Sequence, residues 1–111
     1  MNTRNLIDDL LATYEKHGWE LERVLLKSQT ATELGEALEP IFGQARIRDS
    51  AIDALWFSRP SHNNGEAWEL RLVAETPYAL FERFDSEDSE EKRAEILKDL
   101  EAQLLEYAVG Q

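Results

Sequence analysis

The chain has 111 residues, no cysteine, and 23 acidic against 12 basic side chains, for a formal net charge of −11. This length predicts one domain over residues 1–111, and 42% apolar residues with three Trp, three Tyr and four Phe suffice for a packed interior without a metal or disulfide. The missing cysteines exclude thiolate chemistry, and the acidity disfavours nucleic-acid backbones and anionic membranes while attracting basic partners.

Residues 3–17 place Leu6, Ile7, Leu10, Leu11 and Tyr14 at helical spacing. Asn2 or Thr3 can cap the start, and Lys16 and His17 suit the negative end of the helix dipole. Gly18 supplies the left-handed residue that ends the helix, with Trp19 as its apolar contact. Asp8 and Asp9 interrupt the N-terminal apolar run, so it does not read as a secretory signal. No window approaches the ~18 apolar residues of a membrane span, and a cytoplasmic protein is expected. In residues 19–27, Trp19, Leu21 and Leu25 alternate with Glu20 and Glu22. A short helix is the alternative there; strand is preferred because Gly18 has just broken one helix and Ser28 begins another.

Thr30 and Glu33 have the spacing of a capping box, and Leu34, Ala37, Leu38 and Ile41 follow on one face. Pro40 is expected to end or kink that helix near Glu39. Residues 44–50 read as a connector with a short extended piece at 45–48.

Residues 53–59, 66–74 and 78–84 predict an antiparallel three-stranded meander. In its second strand Trp68, Leu70, Leu72 and Ala74 share one face, while Ala67, Glu69, Arg71 and Val73 share the other. Leu55, Trp56 and Phe57 are consecutive, so the first strand is apolar on both sides. Such a strand is either central and covered twice or covered by another chain. Residues 60–65 (Pro-Ser-His-Asn-Asn-Gly) form a turn signal, and residues 75–77 a tighter one. A last helix is expected from Ser86, with Glu87, Asp88, Glu90 and Glu91 at its positive end. Its stripe is Ile96, Leu97, Leu100, Leu104 and Tyr107, and Gly110 ends it. At about 20 residues it spans roughly 30 Å, enough to cross a sheet.

The expected fold is therefore α+β: an antiparallel sheet, made of the meander plus one extra strand, packed against helices in the order α-β-α-β-β-β-α. The first and last helices are expected together on the face of Trp68, Leu70 and Leu72.

No motif commits the chain to a reaction. His17 fits a helix end, and His62 lies beside Ser61 in a turn without the glycine frame of a nucleophile elbow. There is no His-x-x-x-His pair, calcium loop or phosphate-cradling glycine pattern. No catalytic, cofactor or metal residue is assigned, and a non-enzyme is the preferred reading. The second sheet face, with Leu55, Trp56, Phe57, Glu69, Arg71, Val73, Phe81 and Arg83, has the aromatic and arginine content of an interface core. The expected function is a non-catalytic interaction or adaptor module, either a homodimer or bound to a protein partner through that face. One alternative is an anion-binding protein or enzyme with a pocket between sheet and helices, where Arg59 or Arg71 faces the ligand. Another is an acidic immunity or nucleic-acid-mimic protein presenting Glu87, Asp88, Glu91 and Glu95 to a basic partner. In acidity and size the chain resembles secretion chaperones and toxin-neutralising immunity proteins, a likeness of composition and architecture.

Overall fold

The computed structural model describes residues 2–110. Helix α1 (Thr3–Lys16) starts where the Asn2 side chain accepts the Asn5 N–H at 2.8 Å. It ends at Gly18, whose φ of +84° lets the Trp19 N–H return to the Tyr14 carbonyl at 3.0 Å. The Trp19 and Tyr14 rings then meet edge to face, the apolar contact expected at such an end.

Strand β1 (Glu20–Leu26) follows, so the ambiguous segment is a strand. Helix α2 (Ser28–Leu34), a 3₁₀ turn (Gly35–Ala37) and helix α3 (Leu38–Phe42) form one broken helical segment. Two local expectations fail here. Thr30 makes no capping box, because its hydroxyl donates instead to the buried Asp53 carboxylate at 2.8 Å. The break comes at Gly35 (φ +50°), not at Pro40; Pro40 lies in the first turn of α3, where its missing N–H is not needed.

Strands β2 (Arg46–Asp49), β3 (Ala54–Pro60), β4 (Glu66–Leu72) and β5 (Ala79–Phe84) complete a five-stranded sheet of order β2-β1-β3-β4-β5. The connector at 44–50 thus supplies an edge strand, and β2 runs parallel to β1 while every other pair is antiparallel. A bulge between Leu21 and Arg23 turns Glu22 and Arg23 towards one side of the sheet. There Ser58 donates to Glu22, and the Arg23 guanidinium lies over the Trp68 ring. Helix α4 (Glu90–Val109) begins later than Ser86. Ser89 is its cap, accepting the Lys92 N–H at 3.1 Å, and Asp88 pairs with Lys92 at 2.8 Å.

The main correction concerns the helices, which take opposite sides of the sheet. α4 packs Leu97, Leu100 and Leu104 on Trp56, Leu70, Leu72 and Phe84. α1 and the α2–α3 segment pack Ile7, Leu10, Tyr14 and Phe42 on Val24, Leu26, Leu55 and Phe57. Strand β3 is therefore the central strand covered twice. Each fully buried large side chain there contributes about 1.5–3 kcal/mol relative to exposure.

Candidate interaction surface

The helices do not cover both faces equally. On the α1 side, Val24, Leu26, Leu55 and Phe57 of β1 and β3 are buried, and burial fades towards β5. Strand register sets what remains visible. Arg59, Ala67 and Arg83 lie in one row across β3, β4 and β5; Phe57, Glu69 and Phe81 form the next; Leu55, Arg71 and Ala79 the third. Leu55, Trp56 and Phe57 are 0%, 0% and 1% exposed and leave the expected interface. Their double-sided apolarity is absorbed by α1 and α4, not by a second chain. Glu69, Arg71 and Val73 are half-buried, while Arg83 is exposed and Phe81 is 49% exposed.

Phe81 sits at the middle of β5, which pairs on one side only. The Leu72 N–H donates to the Tyr78 carbonyl at 3.0 Å, so Leu72 and Tyr78 are a hydrogen-bonded pair. By the antiparallel alternation, Leu80, Glu82 and Phe84 also turn their backbone groups towards β4. Ala79, Phe81 and Arg83 turn theirs outward. The Glu82 carboxylate accepts the outward Arg83 N–H at 3.2 Å; among the described residues no strand pairs with the outer side of β5 at Phe81. The opposite edge, β2, is only four residues long and carries Arg46, Arg48 and Asp49, the usual protection of an edge strand.

The two arginines expected to face an anion do not converge. They lie four residues apart along the strand direction, about 13 Å, and each is engaged. The Arg59 guanidinium lies 4.5 Å from the Trp19 ring centroid and donates to the His17 carbonyl at 3.0 Å. Arg71 Nε donates to the Leu72 carbonyl at 3.2 Å. Arg71 also flanks Tyr14, whose hydroxyl donates to Glu69 and whose ring stacks on Phe57 at 4.0 Å. Burial above all, then the hydrogen bond to Glu69 and its charge, pushes the Tyr14 phenol above its ordinary pKa, and Arg71 opposes this.

Arg59 instead shares a hollow of about 360 Å³ with Arg83. The two flank Ala67, two strand spacings or about 10 Å apart at Cα. His62 and Ser61 close the hollow at the turn, Phe81 forms its apolar wall, and no carboxylate lines it. Sequence reasoning missed His62, Ser61 and Ala67 as parts of a common site. The hairpin register carries that information, but only once the irregular turn at 60–65 is resolved.

No protein-family model matches the chain, and neither the curated proteins nor the solved structures give a significant match.

The remaining surfaces offer less chemistry. Among the described residues no three His, Asp or Glu side chains gather to hold a metal ion, and no helix is long and apolar enough to cross a membrane. On α4 and the loop before it, Glu87, Glu91 and Glu95 are exposed, while Asp88 is tied to Lys92 and to the Asp85 N–H. The His17 ring nitrogen Nδ1 lies 2.8 Å from the Thr13 carbonyl, consistent with a helix-end role.

Proposed function

We propose that this protein is a non-catalytic interaction module that pairs with a second copy of itself along the outer edge of β5. The observation that carries this reading is Phe81, a large apolar side chain half in solvent at the centre of a one-sided strand. A twofold axis at Phe81 sets it against its counterpart and brings Ala79 opposite Arg83 of the other copy. All three residues have outward backbone groups, so the ladder is in phase. The register centred on Glu82 opposes two carboxylates and is disfavoured. Centring on Phe81 keeps each Arg83 away from its symmetry mate.

Sedimentation as a function of concentration tests this. The native chain is expected to associate in the micromolar range, and Phe81→Glu to remain monomeric with an unchanged circular dichroism spectrum. A native chain that stays monomeric up to ~100 µM would defeat the proposal.

A second reading rests on the hollow beside Phe81, whose Arg59, Arg83 and His62 are unaccompanied by acid. It is an anion site, with guanidinium donors suited to carboxylate or phosphate. Titration with inorganic phosphate should perturb the fluorescence of Trp19, which lies against Arg59, and Arg83→Gln should abolish the response.

A further inference from the structure

We infer that a second surface, independent of β5, receives a basic segment of a partner protein that carries one aliphatic or aromatic anchor between lysines or arginines. The surface is an open groove of about 590 Å³ between the end of α1, the start of β1 and α3, within the usual range for ligand sites. Leu21, Phe42 and Phe57 line its apolar floor, and Leu11, Trp19 and Ile41 its walls.

Gly18 and Gly43 both line the groove, both adopt positive φ, and neither has a neighbour within 4 Å of where a Cβ would stand.

The charge of the groove selects the occupant. Glu15 and Glu20 are exposed along it, and its lining includes no Lys, Arg or His. The facing helix α3 carries Glu39 next to the lining Pro40 and no basic residue. One guanidinium already responds to this field: Arg59 lies over Trp19 and bonds the His17 carbonyl. A cation flanking an apolar anchor meets the exposed carboxylates of Glu15 and Glu20 at the rim. An acidic or neutral apolar segment would meet the floor but not the rim, and the net charge of −11 would slow its approach.

The test uses a synthetic peptide with a single Leu between pairs of lysines, titrated into the full chain by calorimetry and amide-shift mapping. Binding with shifts centred on Leu11, Trp19 and Ile41 is expected, weakened about fivefold to tenfold by Glu15→Gln with Glu20→Gln. Both glutamates are exposed, so the fold should survive the change. The Phe81→Glu variant should bind as the native chain does, which separates this site from the β5 edge. Equal binding of a peptide with Ser in place of Leu would mean general attraction to an acidic chain and would overturn the inference. So would shifts centred on α4, an unchanged affinity in the double variant, or no binding at millimolar peptide.

Discussion

Trp56 donates its indole N–H to the Glu101 carboxylate across 2.7 Å, joining the fully buried centre of the sheet to the middle of α4. Arg48 of the β2 edge holds the other oxygen of the same carboxylate. One glutamate therefore ties the helix to strands at the centre and at one margin of the sheet. Glu101→Ala should cost about 1–3 kcal/mol, because it strands a buried donor. Arg48→Met should cost under about 1 kcal/mol, since that side chain is half in solvent and its pair is screened. Urea unfolding of the two variants would show the asymmetry; equal losses would contradict it.

Tyr14 provides a pH signature. Its phenol keeps its proton in the fold at pH values where the unfolded chain, with an ordinary pKa of 10.0, has lost it. The stabilisation is complete below that value and falls away as the pH rises beyond it. The urea midpoint should therefore begin to drop as the pH rises past about 10, and Tyr14→Phe should flatten part of that drop. At neutral pH the same substitution should cost about 0.5–1.5 kcal/mol through the lost bond to Glu69.

Asp53 is buried yet lies outside the strand it precedes. Its carboxylate accepts the Lys27 N–H at 2.9 Å and the Thr30 hydroxyl at 2.8 Å, capping α2 from a distant part of the chain. Asp53→Ala should destabilise by about 1–3 kcal/mol and Asp53→Asn by less, because the amide oxygen still accepts one bond. Hydrogen exchange at the first turn of α2 should accelerate more than exchange in α4.

Gly65 is needed for space, not for its backbone angle. A Cβ there would stand 2.5 Å from the Phe84 carbonyl oxygen and 3.1 Å from that of His62. The positive φ values of this turn fall on Asn63 and Asn64 instead. Gly65→Ala should push the start of β4 from the end of β5 and lower stability by roughly 1–3 kcal/mol. A thermal melt unchanged from the native chain would count against this close approach.

While residues 19–27 stayed open between strand and helix until the fold placed β1 in the sheet, sequence patterning alone determined α1 and its glycine end, the three meander strands and the α4 stripe. These are legible because helix and strand periods, caps and turn residues act within a few positions of one another. The consecutive Leu55, Trp56 and Phe57 even stated that β3 needs two covers. They did not say which helix goes where, since the stripes of α1 and α4 are equally able to seal an apolar sheet face.

Tertiary packing decided that α1 and α4 lie on opposite sides, and with it the fate of the interface residues. Leu55, Trp56 and Phe57 were consumed as core, leaving Phe81 and Arg83 outside the reach of α1. Strand register, likewise invisible to local patterning, placed Arg83 rather than Arg71 across from Arg59. The groove joins Leu11, Ile41 and Phe57, drawn from α1, α3 and β3, with Trp19 of the α1–β1 connection. Only the folded chain brings those side chains within van der Waals reach of one hollow, because burial is shared between segments far apart in sequence while periodicity is read within one.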